Sequence, residues 1–165
     1  MSSISPSIDI QVSSNFERLL LEIEGNDTSV VRDCMAQMDA SGQFRISENA
    51  LRRIRTQFEG RGVSEEETLR CMAETMARSN MVIDPHTAVG VGAVEKLQAA
   101  GRLPRTTVTM ATAHPAKFPD PVEKATGVRP PLPAHLADLF DREERFTRLP
   151  NDLAAVQEFV ATTFR

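Results

Sequence analysis

The chain has 165 residues and a mass of 18.2 kDa, the length of one ordinary domain. Hydrophobic residues make up 41% and charged residues 25%, which excludes wholesale disorder, and a net charge of -4 counts against a nucleic-acid or anionic membrane surface. No apolar run approaches the roughly 20 residues that a bilayer helix needs, and the first seven residues lack the basic and apolar segments of a signal peptide, so the expected location is cytoplasmic.

The predicted elements are mostly helical. Ser14-Asn15-Phe16-Glu17 reads as a capping box, followed by Phe16, Leu19, Leu20 and Ile23 at the spacing of one helix face. Val30, Val31, Cys34, Met35 and Met38 continue that period in a second helix ending near Gly42. Ser47 opens a third, with Leu51, Ile54 and Phe58 on one face and its end at Gly60-Arg61-Gly62. Ser64-Glu65-Glu66-Glu67 is a second capping box, leading into Leu69, Met72, Ala73 and Met76. Met81-Val82-Ile83 is a short strand-like piece. Asp84 before Pro85 then marks a strong helix start, with the helix running to Gly101. Thr106 to Ala111 is β-branched and bounded by prolines, and is the one convincing strand. Asp120-Pro121-Val122-Glu123 starts a short helix, Arg129 to Pro133 is a connector, and Asn151 or Asp152 caps a last helix carrying Leu153, Val156, Val160 and Phe164. With no Trp and no Tyr, eight Phe and seven Met must supply the large core side chains. Cys34 and Cys71 read as buried hydrophobes of a reducing compartment.

Few residues invite chemistry. His86, His114 and His135 lie far apart and have no zinc-ligand spacing. Arg52, Arg53, Arg55 and Arg61 form a basic cluster that Glu48 and Glu59 neutralise at helical spacing, the pattern of a solvated face. Gly90 and Gly92 sit inside a helix pattern, which fails the context of a dinucleotide loop and suits close packing of a neighbour. The end of the predicted strand is more informative. Thr112 and His114 fall just past it, where open α/β sheets place ligands, and either a ligand or an ordinary turn partner would satisfy them.

Four segments in order carry a resemblance. They are Ser5-Pro6-Ser7-Ile8-Asp9-Ile10-Gln11-Val12-Ser13-Ser14-Asn15-Phe16-Glu17-Arg18, Asp84-Pro85-His86-Thr87-Ala88-Val89, Ala111-Thr112-Ala113-His114-Pro115-Ala116-Lys117-Phe118 and Leu149-Pro150-Asn151-Asp152-Leu153. Together they resemble the C-terminal part of threonine synthase, over nearly all of this chain and about the last third of a family member. Ile8 and Ala111 depart conservatively from the family's usual Met and Ser.

The resemblance implies a helix-rich α/β fold, the C-terminal part of a pyridoxal-phosphate fold-type II enzyme, with the strand at 106–111 belonging to a larger parallel sheet. Residues 1–165 would then be one C-terminal region: a helical subdomain at about 14–80, a strand and cofactor-pocket segment at about 81–127, and a helical tail at about 134–165. The family converts O-phosphohomoserine and water to L-threonine and phosphate. It holds pyridoxal phosphate as a Schiff base on a lysine of the upstream cofactor-binding domain, the partner this chain would need. Lys96, Lys117 and Lys124 do not stand in that setting, so the isolated chain is expected to be inactive, with no catalytic or metal-binding residue of its own. One cofactor contact carries over: Thr112 resembles the residue whose hydroxyl faces the pyridine nitrogen. Alternatives are a related O-phosphohomoserine phospholyase or a non-catalytic helical interaction module of the same descent. Neither nucleic acid nor membrane is an expected partner.

Overall fold

Short polar side chains start most of the helices in the computed structural model, which describes residues 3–10, 13–104 and 106–164. Among these residues lie α1 (Ser14–Ile23), α2 (Thr28–Ser41), α3 (Glu48–Arg55), α4 (Glu65–Ser79), α5 (Pro85–Ala99), α6 (Pro119–Thr126) and α7 (Leu153–Thr163). Asp27, Ser47 and Asp152 each accept a hydrogen bond from a first-turn N–H that has no partner inside its helix. Ser64 and Glu67 complete the reciprocal capping box at α4. α1 departs from expectation: it begins at Ser14, with Ser13 at the cap and no side-chain capping bond, and the Ser14 side chain lies outside the described residues. Burial of Leu20 and Ile23 anchors this helix instead.

The helix ends are decided as locally as the starts. α2 stops at Gly42, whose φ of 72° suits glycine and whose N–H reaches Met38 O. α3 ends at Arg55, before the predicted glycine break. There Thr56 turns both its N–H and its hydroxyl onto Arg53 O, which tightens the last turn. Phe58 consequently lies beyond the helix and is 53% exposed.

Two groups of helices build the first of two compact units, Met1–Pro130. α1 packs on α2 and α3, burying Leu20, Ile23, Cys34 and Ala50, and the Arg53 guanidinium donates to Ile23 O at the end of α1. α4 packs on α5 and α6 around Cys71, Met72, Ile83, Ala88 and Val122. Both cysteines are free and buried, and burial pushes their thiols up from the ordinary value, which leaves them poor nucleophiles. At α5, a Cβ on Gly92 would stand 3.1 Å from a Val63 methyl, and one on Gly90 would stand 3.1 Å from the Thr109 methyl. The close-packing reading of this Gly-x-Gly is the one the geometry bears out.

The expected α/β class is corrected, because the described residues contain no β-strand, at 106–111 or at Met81–Ile83. A strand needs a paired ladder, and the backbone of 106–111 makes no backbone hydrogen bond among the described residues. The β-branched run does bury alternate side chains, but its partner is a helix. Thr107 and Thr109 are half-buried, with Thr107 accepting from Gln98 of α5 and Thr109 lying on Gly90, while Val108 and Met110 are 82% and 73% exposed. β-propensity reports fit to a half-buried surface, and a helix face supplied that surface here.

The second unit, Pro131–Arg165, holds α7 and single turns at Ala134–Leu136 and Leu139–Asp141. None of its described residues is buried, so the apolar side predicted for α7 (Leu153, Val156, Val160, Phe164) is exposed.

Candidate functional site

A single buried carboxylate organises the start of α5. Asp84 has no exposed surface, and as the cap of α5 it accepts from the N–H groups of His86 at 2.9 Å and Thr87 at 3.3 Å. Its two oxygens take further bonds from side chains. His86 Nδ1 stands 2.9 Å from Oδ1, and the Thr87 hydroxyl donates to Oδ2. Four donors thus converge on Asp84, a number an ionised carboxylate can accept.

Both side chains pass the connection outward to distant parts of the chain. The N–H of Ser7 donates to His86 Nε2 at 3.1 Å. A nitrogen that accepts carries no proton, so the imidazole proton is assigned to Nδ1, pointing at Asp84. On the other side the N–H of Thr112 donates to Thr87 Oγ1 at 3.3 Å. The Phe118 ring packs on His86 with centroids 4.5 Å apart. Three of the four sequence strings therefore meet at Asp84, His86 and Thr87; residues 11 and 12 of the first string lie outside the described residues.

Thr112 is exposed, and its hydroxyl makes no hydrogen bond to a described residue. His114 caps the following turn, its Nδ1 accepting from the Ala116 N–H at 3.1 Å. Of the lysines, Lys96 donates to Gly62 O and to Glu67, each at 2.7 Å, and Lys117 lies 5.9 Å from the centre of the Phe118 ring. The arginine cluster differs in detail from its predicted pairing. Arg52 bonds Asn49, while Glu59 pairs with Arg61 at 2.6 Å and Arg102 at 3.1 Å. No group of His, Cys, Asp and Glu among the described residues suits a metal ion.

The sequence profile described as "Threonine synthase, C-terminal" matches residues 87–160. Threonine synthase of Pseudomonas aeruginosa is 48% identical over 160 residues, covering 96% of this chain and 34% of that protein. The crystal structure of pyridoxal-phosphate-bound threonine synthase from Brucella melitensis aligns with a TM-score of 0.75 and 42% identity, over 97% of this chain and 34% of that one. This chain is a C-terminal segment of the threonine synthase family. Yeast threonine synthase shares the fold as well, with a TM-score of 0.77 and 27% identity over 99% of the chain and 36% of its own. The chain therefore spans about a third of the length of the threonine synthases it matches.

Sequence reasoning singled out Thr112 and His114 but missed the junction behind them. It explained Asp84 by capping alone, found no zinc-ligand spacing at His86 and passed over Thr87. The available signal was the spacing: in Asp-Pro-His-Thr, two side chains with polar hydrogens stand at the two positions whose backbone an N-cap aspartate already holds.

Proposed function

We propose that this chain serves as the C-terminal segment of a pyridoxal-phosphate-dependent threonine synthase, which converts O-phosphohomoserine and water to L-threonine and phosphate. The observation that carries this reading is the 42% identity, over 97% of the chain, to a threonine synthase solved with pyridoxal phosphate bound. When bound, the cofactor supplies an electron sink for chemistry at the substrate's carbon skeleton. This chain contributes one wall of its site. The residues present fit that share: Thr112 offers an exposed, uncommitted hydroxyl at the end of a loop tied to α5. A neutral hydroxyl beside the pyridine nitrogen does not favour ring protonation as a carboxylate would, and so moderates the sink. Lys96 is held by Glu67 and Gly62, and the lysine that carries the cofactor is assigned to the upstream domain.

The test combines this chain with a lysine-bearing upstream domain and follows phosphate release from O-phosphohomoserine. We expect no release from the chain alone and restored release from the pair. Activity of the isolated chain, abolished by replacing Lys96, Lys117 or Lys124, would overturn the assignment of the lysine. In the assembled enzyme, Thr112→Val keeps the volume and removes the hydroxyl. Loss of that bond should cost about 1–3 kcal/mol, roughly 10- to 100-fold in cofactor affinity or turnover. Unchanged cofactor affinity would take Thr112 out of the site.

A further inference from the structure

We infer that Thr87 and Asp84 are positioning residues for the Thr112 loop, and that His86 ties the segment around Ser7 to the same carboxylate. The functional consequence rests on the reading of Thr112 above; the structural part does not.

Capping alone does not explain these side chains. An N-cap aspartate needs only the backbone N–H groups two and three residues on, and alanine at both positions would leave that cap intact. Here the side chains at those positions reach partners 79 and 25 residues away, Ser7 and Thr112. The need on the loop side is plain. The backbone of residues 108–113 makes no backbone hydrogen bond among the described residues, and the Thr112 N–H to Thr87 bond is what holds it to the helix, with the Thr109 methyl resting on Gly90.

The direction of that bond is set from behind. The Thr87 hydroxyl spends its proton on Asp84 Oδ2, so it faces Thr112 as an acceptor. Asp84 cannot turn away, because both oxygens are already engaged and the residue is fully buried. A hydroxyl that must meet a cofactor atom is useful only when its backbone is held in place, and this junction holds it. The same carboxylate, through the Nδ1 proton of His86, orients Nε2 toward the Ser7 N–H, so two segments remote in sequence share one anchor.

The first measurement is amide hydrogen exchange, residue by residue, in the 165-residue chain. Thr87→Val keeps the shape and removes the acceptor, and should speed exchange at the Thr112 N–H by roughly 2- to 10-fold, while Ala88 and Leu97 keep their rates. Thr87→Ser should restore the slow rate. His86→Ala should speed exchange at Ser7 and leave Thr112 unchanged. If Thr87→Val does not fold, Asp84→Asn keeps a capping oxygen, and acceleration at Thr112 reads the same link. Thr112 exchange equal to wild type in Thr87→Val, or in Asp84→Asn where Thr87→Val does not fold, overturns the inference, whatever the cofactor does.

The second measurement is spectroscopic titration of pyridoxal phosphate into the assembled enzyme. Thr87→Val should weaken binding by roughly 3- to 10-fold and Thr87→Ser should not. If Thr112→Val weakens binding and Thr87→Val leaves it unchanged, the positioning role is overturned and the Thr112 reading stands. If Thr112→Val leaves binding unchanged, the Thr112 reading fails, and the exchange data alone decide whether the loop is held as inferred.

Discussion

Glu67 shows how one carboxylate serves two structures at once. Its Oε2 accepts from the Ser64 N–H at 2.7 Å, closing the α4 capping box, and from Lys96 of α5 at 2.7 Å. The Lys96 bond, then the Ser64 backbone bond, hold its pKa down to about 2 from the ordinary 4.5. A carboxylate whose folded-state pKa lies below its unfolded value contributes stability above the unfolded value and loses it as pH falls toward the folded one. The contribution of Glu67 should therefore be complete above about pH 4.5 and decline between there and about pH 2. Urea unfolding of wild type against Glu67→Gln checks this, since glutamine keeps a capping acceptor but not the charge. The gap between the two should be constant from pH 7 to 5 and narrow below pH 4. A gap that widens in acid would mean that the Lys96 pairing does not stabilise the fold.

The two glycines of α5 separate two effects that sequence treats alike. Alanine is favoured over glycine in a helix interior by about 0.8–1.0 kcal/mol. At Gly90 the new methyl would meet one atom, the Thr109 methyl at 3.1 Å, on a segment whose neighbours Val108 and Met110 face solvent and can shift. At Gly92 it would meet three Val63 atoms, at 3.1, 3.5 and 4.0 Å, on a β-branched side chain with little rotamer freedom. Gly90→Ala should be neutral or stabilising by up to about 1 kcal/mol. Gly92→Ala should destabilise by about 1–2 kcal/mol, as overpacking outweighs the propensity gain. Thermal and urea unfolding of the pair checks the order, and the reverse order would show that Val63 yields more readily than the Thr109 segment.

At the scale of the whole molecule, stability is unevenly distributed. The first unit holds every fully buried side chain among the described residues, including Leu20, Met72 and Val122, whereas the second buries none. Local opening free energies follow buried apolar contact, from near zero up to the global value. In hydrogen exchange by mass spectrometry, peptides from 68–76 and 86–97 should stay protected for roughly hours, and those from 153–163 should exchange within roughly minutes. Equal protection would mean that α7 is covered in solution.

Where a structural feature depends on groups a few residues apart, the sequence determined it. Asp27, Ser47, Ser64 and Asp152 start their helices and Gly42 ends one, because a cap joins a side chain to backbone within a single turn. The four strings also carried the family, with Ser-Asn-Phe-Glu-Arg and Thr-Ala-His-Pro-Ala-Lys-Phe the specific ones. Tertiary structure decided what needs a distant partner. Residues 106–111 have the composition of a strand, yet without a ladder they lie along α5. Glu59 bonds Arg61 and Arg102 instead of Arg55, because α3 stops before the helical spacing reaches it. His86 and Thr87 have the same identity in the sequence as any solvent-facing histidine or threonine. Folding brought Ser7 and Thr112 to either side of Asp84, and burial then required each polar group there to find a partner.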